Sequence, residues 1–165
     1  MVRMRRRPEI SAGLLAFRRG RNLEVLLAHP GGPFWAKKDD GAWSIPKGLV
    51  EDGADLLATA QREFTEETNL QACGPFIALT PARQKSGKLV HAFAFEADLD
   101  LATFASNLFE MEWPPRSKRR RSFPEIDRIG YFALPQAMTK LIEYQRPFLR
   151  ELQAKLAAGS ATTPA

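Results

Sequence analysis

Glu63, Glu66 and Glu67 fall at i, i+3 and i+4, the spacing that puts three side chains on one face of an α-helix. Like charges held that close repel, at about 0.2–0.5 kcal/mol per pair on an isolated helix. A divalent cation would offset that repulsion, and hard carboxylate oxygens suit Mg²⁺ or Mn²⁺. A solvated acidic helix face is the plainer alternative. Three glutamates alone leave both readings open.

The surrounding residues must position these side chains. Upstream lies Trp43-Ser44-Ile45-Pro46-Lys47-Gly48, a short strand-like apolar run stopped by proline and glycine. A glycine loop follows over 48–53, and then the helix. Asp55 is suited to the N-cap, where its carboxylate accepts a first-turn N–H. Leu57, Ala60, Phe64 and Thr68 recur at helical spacing and can face a core, with the glutamates beside them. Asn69 is placed to end the helix, since asparagine tolerates the left-handed C-terminal conformation.

From Gly48 to Leu70 this unit resembles the Nudix box, G-x5-E-x7-R-E-U-x-E-E-x-G-U with U apolar. The glycine falls on Gly48, the R-E-U-x-E-E run on Arg62, Glu63, Phe64, Thr65, Glu66 and Glu67, and the last apolar position on Leu70. Two positions depart: the first glutamate of the pattern is Ala54 here, and the late glycine is Asn69. The second change is mild. The first removes a carboxylate that in this family supports the metal loop or the arginine, and Glu51, Asp52 and Asp55 are the candidates to replace it.

The resemblance implies an α/β Nudix fold, a mixed β-sheet sandwiched between α-helices. It also implies a hydrolase in which Mg²⁺ (or Mn²⁺) neutralises phosphate charge while water attacks a phosphoanhydride. Carried over by position, Glu63, Glu66 and Glu67 are expected metal ligands, with the Gly48 carbonyl as a further one. Arg62 is expected to be structural, paired with Glu66. The general base is Glu63 in some relatives and a later glutamate in others. Glu125 is the preferred late candidate, ahead of Glu110 and Glu112. Lys47, Arg83 and Lys85 are expected to bind substrate, and Lys88 could join them on a long phosphate chain. Trp35, Trp43 and Trp113 are stacking candidates for a base, although buried core tryptophans are commoner.

The expected substrate is a nucleoside polyphosphate, with a diadenosine polyphosphate foremost and simple nucleoside triphosphates next. Two other classes compete: a Nudix-fold nucleotide sensor without turnover, and a basic RNA-binding module whose acidic helix is mere surface. Three mutually repelling carboxylates argue against both.

Composition sets the frame. The 165 residues are 44% hydrophobic, enough for one packed core. No apolar run is long enough to span a membrane, and the arginines at 3 and 5–7 have no apolar segment after them as a secretory signal would. Cys73 is alone, so neither an internal disulfide nor a cysteine-based zinc cluster is expected. Cytoplasmic residence follows as the expectation, with a monomer or homodimer and no membrane partner.

The formal charge of +5 and pI near 9.7 favour anionic ligands. Arginine clusters lie in the N-terminal arm and at Arg116-Ser117-Lys118-Arg119-Arg120-Arg121. The second sits inside the domain, where it could meet a substrate phosphate. Helix-turn-helix, zinc-finger and RNP-type signatures are missing, so no nucleic-acid partner is expected.

Along the chain, 10–18 and 23–29 read as two strands joined at Arg19-Gly20-Arg21-Asn22. Residues 74–84 and 88–97 read as a hairpin about Ser86-Gly87, with Leu89, His91, Phe93 and Phe95 on one side. His91 reads as a strand residue near the core or cleft. A further strand is expected at 126–132 and helices at 134–144 and 147–156. The division is a basic arm over 1–9, a Nudix domain over 10–157 and a frayed tail over 158–165.

Overall fold

The computed structural model describes residues 7–161; Arg3, Arg5 and Arg6 of the basic arm lie outside them. Strand β1 (Ile10–Arg19) carries six consecutive buried residues, as a strand covered on both faces must. It pairs with β2 (Leu23–Pro30) and β3 (Lys47–Leu49) antiparallel, and with β6 (Leu89–Glu96) parallel. Strand β9 (Ile126–Ala133) closes the far side of β2, while β4 (Ile77–Ala78) and β5 (Ala82–Arg83) lie on β6. The result is a mixed seven-stranded sheet.

Strand alternation sends side chains to two cores. Ala12, Leu14, Ala16, Leu26 and Phe95 meet Ala60 and Phe64 of helix α1 (Leu56–Thr68). On the opposite face Leu15, Phe17, Val25, Leu27 and Val90 meet Ala137 of α2 (Leu134–Lys140) and Phe148, Leu149 and Leu152 of α3 (Arg146–Ala161). The expected sheet between helices is what the chain forms. In β6 the predicted alternation also holds. Phe93 and Phe95 turn to the α1 side, Phe95 meeting Phe64 edge-on at 5.5 Å, while Val90, Ala92 and Ala94 face the other core.

Several boundaries differ from expectation. The strand-like run 43–48 is divided among three partners: Trp43 bridges Leu141, Ser44 bridges Ala28, and only Lys47 and Gly48 enter β3. Helix α2 stops at Lys140 instead of 144 because Leu141 turns extended, and the Ile142 N–H donates to the Trp43 carbonyl at 2.8 Å. Helix α3 continues to Ala161, so the frayed tail expected from 158 is helical that far.

The largest difference is a separate hairpin, β7 (Leu108–Glu112) with β8 (Arg120–Pro124). Its arginine run disguises it in the sequence. Arg120 and Arg121 lie in the strand itself, and the connection contains Arg116 and Lys118 at φ 62° and 59°, positions where side chains are uncommon.

Candidate active site

Helix α1 is held at both ends as its sequence suggests. The Asp55 carboxylate accepts the Ala58 N–H at 2.8 Å. Asn69 adopts φ 62° and donates its N–H to Thr65. Phe64, Ala60 and Thr68 seat the helix on the sheet, which brings Glu63 and Glu67 against β3. At Gly48 the approach is so close that a Cβ would stand 2.0 Å from the Glu63 carboxyl carbon. Any other residue at Gly48 would displace that carboxylate. Glu67 reaches the same strand, accepting the Lys47 N–H at 3.1 Å.

Glu125 joins them from the other end of the chain. It occupies the single position between β8 and β9, where its N–H donates to the Asn107 carbonyl and its carbonyl accepts from Gly31, both at 2.9 Å. A side chain at Gly31 would collide with the Pro124 carbonyl, 1.9 Å from the ideal Cβ. Lys47, Gly48, Glu63, Glu67 and Glu125 thus line one open cavity of about 460 Å³.

Burial acts on these acids. It pushes the Glu67 carboxyl up to about 8, against the pull of the Lys47 ammonium and N–H, with Glu63 and Glu125 adding to the rise. Glu63 is raised for the same first reason, helped by the charge of Glu66 and opposed by Arg62. Two acids that resist ionisation beside a third carboxylate form a place where added positive charge is favoured.

The predicted residues do not all converge. Glu66 is exposed and bonded to Arg62, its Oε1 3.1 Å from Nη1. Arg62 also reaches Glu63 at 3.3 Å, so the expected pairing of Arg62 on its own helix is present. Near Ala54, Asp55 is committed to the cap. The Arg62 guanidinium is raised first by its Glu66 bond, then by Glu63, with Glu51 a more remote contributor. Glu51 is therefore the loop carboxylate whose charge reaches that arginine.

Arg83 donates to the Gly87 carbonyl at 3.1 Å. Neither Arg83 nor Lys85 lines the cavity; their neighbours Gln84 and Lys88 do. Glu110 pairs with Arg120, and Glu112 accepts the Lys118 N–H, both within the β7–β8 hairpin. Trp43 is a core residue bonded through Nε1 to Asp39. Trp113 packs edge-on against Phe34, and Trp35 lies under the Lys38 ammonium. None of the three lines the cavity.

Ser11 and Asn107 line it too, although no motif marks them, and plain strand alternation is the only hint for Ser11. His29, at the end of the strand expected over 23–29, is fully buried. Its Nε2–H donates to the Lys38 carbonyl at 2.6 Å and its Nδ1 meets Asp127 at 2.8 Å, which fastens the 31–42 loop to β2 and β9.

Among the described residues no three His, Cys, Asp or Glu side chains stand close enough to hold an ion as they are. The donor chemistry nevertheless suits a hard divalent cation: half-buried carboxylates converge on a strand whose glycine leaves room for them. Glu63 and Glu67 are placed to hold one, with Glu125 across the cavity. Glu66 could join only by leaving Arg62.

The NUDIX domain model matches residues 7–152, and the chain belongs to that family. Solved structures agree on the fold. The chain resembles a C. elegans Ap4A hydrolase (20% identity, 90% of this chain and 98% of that one, TM-score 0.61). It also resembles the NUDIX domain of Shewanella oneidensis NrtR in complex with ADP ribose (13% identity, 92% and 90%, TM-score 0.64). A mutT/nudix family protein from Listeria innocua gives 17% identity, 96% and 100% coverage, and a TM-score of 0.62. No curated protein matches by sequence.

The protein is accordingly a Nudix-type pyrophosphohydrolase acting on acid anhydrides, of a family that binds nucleotide small molecules and generally uses a divalent metal. No helix among the described residues is long and apolar enough to cross a membrane.

Proposed function

We propose that the protein is a Mg²⁺-dependent hydrolase that cleaves a phosphoanhydride bond in a nucleoside polyphosphate, with a diadenosine polyphosphate as the leading substrate. The observation that supports this is the convergence of Glu63, Glu67, Glu125 and Lys47 on one cavity about Gly48. Likeness in fold to an Ap4A hydrolase points the same way. Mn²⁺ would serve the same ligands.

The cation, when bound, neutralises phosphate charge and polarises the phosphorus–oxygen bonds. Glu63 and Glu67 would hold it, with the Gly48 carbonyl as a further ligand and Glu66 available only if it left Arg62. The Lys47 ammonium steadies a phosphate oxygen at the cavity wall. Glu125 accepts the proton of the attacking water as its oxygen bonds to phosphorus. The anhydride P–O bond then breaks, and the departing phosphate oxygen keeps the electron pair.

The test is a product-identity screen over Ap4A, nucleoside triphosphates and nucleoside diphosphate derivatives, with Mg²⁺ and with chelator. Metal-dependent release of mononucleotide products from Ap4A supports the reading. Preference for triphosphates moves it to a nucleoside triphosphate pyrophosphohydrolase, and tight binding without turnover moves it to a nucleotide sensor.

A further inference from the structure

The cavity does not end at the carboxylates. It runs across β3 and β1 to a second end made by Glu9, Ser11, Leu49, Gln84, Lys88 and Val90. Strand register builds this end. Ser11 lies between Leu49 of β3 and Val90 of β6, which places a hydroxyl between two apolar side chains. Leu49 is 58% exposed there. The Leu89 N–H donates to the Glu9 carbonyl at 3.0 Å, and the Gln84 N–H to the Lys88 carbonyl at 2.8 Å. Those bonds bring the Glu9 and Lys88 side chains together, Nζ to Oε2 at 3.0 Å.

Charge separates the two ends. The first concentrates three carboxylates around one lysine and calls for a cation with phosphate. The second holds one carboxylate and one ammonium, which cancel. A phosphate at Lys88 would have to sit beside the Glu9 carboxylate, anion against anion. A group with vicinal hydroxyls meets no such conflict, since it can donate to Glu9 and accept from Lys88 with no net change in charge. Leu49 offers apolar surface to a ring, and Ser11 and Gln84 add polar groups able both to donate and to accept. The pair is itself half exposed, its side chains 53% and 55% accessible, so solvent screens it and it can re-pair with a ligand at little cost.

We propose that this neutral end is the nucleoside subsite of the cleft, with Glu9 and Lys88 selecting the ribose hydroxyls and the phosphate chain running from there toward Lys47 and the glutamates. The assignment rests on the nucleotide reading above, but it is tested without turnover. It also turns Lys88 from an expected phosphate contact into a sugar contact.

The probe is adenosine, which has no phosphate, titrated by ligand-observed NMR into the full chain with chelator present. Wild-type protein is expected to bind it, with Glu9→Gln and Lys88→Gln each weakening it about tenfold and Glu67→Gln leaving it unchanged. 2′,3′-Dideoxyadenosine should bind wild type as weakly as adenosine binds Glu9→Gln. Tripolyphosphate affinity in the presence of Mg²⁺ should be the same in Glu9→Gln as in wild type.

Failure of adenosine to bind, equal binding by the variants, or equal binding of the dideoxy compound would overturn the assignment. So would a Lys88→Gln variant that lost tripolyphosphate and kept adenosine. Localised adenosine binding without hydrolysis of any anhydride would instead uphold the subsite and defeat the catalytic reading. Both substituted side chains are exposed, so the variants are expected to fold.

Discussion

Two charged regions stand out in this chain, the glutamates of α1 and the arginines of the β7–β8 hairpin, and the fold treats them in opposite ways. Glu63 and Glu67 are turned inward on a helix fastened at both ends, and Glu125 and Lys47 converge on them from distant segments. Burial then raises the acids. The arginines stay on a two-stranded hairpin outside the main sheet. Arg120 pairs with Glu110, and Arg121 lies over Phe123. None of them lines the cavity. Both regions have a claim as clusters of like charge. What separates them is convergence: a cluster becomes a site when a second element brings complementary groups into the same cavity.

The sharpest way to break this contrast is at Glu67. Glu67→Gln should lower turnover by two or more orders of magnitude with little change in fold, since the side chain contacts a cavity rather than the core. Near wild-type turnover at saturating Mg²⁺ would remove Glu67 from the metal set. Glu66→Gln should lose turnover too, though less if Arg62 is its main partner. Arg62→Ala should show largely as a lower Tm.

Gly48→Ala comes next. Its methyl group would occupy the Glu63 carboxyl position, so the carboxylate must move. Overpacking of this kind costs roughly 1–3 kcal/mol, and here it should also raise the metal concentration needed for half-maximal rate. An alanine variant with unaltered metal dependence would show that Glu63 is not held against this strand.

A third test follows from the raised Glu67 carboxyl. An acid whose folded pKa lies above its unfolded one contributes stability that is fully present below the unfolded value, about 4.3 for glutamate. That stability is lost as pH rises to about 8. With chelator, Tm should therefore fall over this interval, and Glu67→Gln should flatten the fall. A cation must displace the proton, so added Mg²⁺ should raise Tm more at pH 8 than at pH 5.5. An equal rise at both would count against the site.

The hairpin should give the smallest effect. Neutralising Arg119, Arg120 and Arg121 together should raise KM a few-fold for a tetraphosphate-bridged substrate and leave kcat nearly unchanged, the mark of lost ground-state binding. The effect should fade at high salt, because exposed charges are screened over roughly 8 Å at physiological ionic strength. A diphosphate substrate, too short to leave the cavity, should be unaffected. An equal penalty on both substrates would bring the hairpin into the site after all; no penalty on either would leave it a solvated surface.

Much of α1 is legible in the sequence alone, because its signals are local. The Asp55 and Asn69 caps, the apolar stripe of Ala60 and Phe64, and the spacing of the glutamates all act within a turn or two of helix. The strands β1 and β6 are legible as well, since alternation and long apolar runs mark buried strands. The same local reading does not tell which residues of the 83–88 turn face the cavity. Of the cations expected there, Arg83 and Lys85 stay outside it, while Lys88 lines it beside Gln84.

What the sequence determined by itself was the capped acidic helix, the central strands and the family they belong to. The tertiary structure decided which of Glu110, Glu112 and Glu125 meets the helix. It also decided that the arginine run forms a strand, that His29 anchors a loop, and that Glu9 faces Lys88. The physical reason is range. Caps and periodicity are set by residues a few positions apart, whereas the cavity is closed by β1 pairing with β3 and β6, and by Gly31 and Asn107 bonding the backbone of Glu125. Only pairing between distant strands selects those partners.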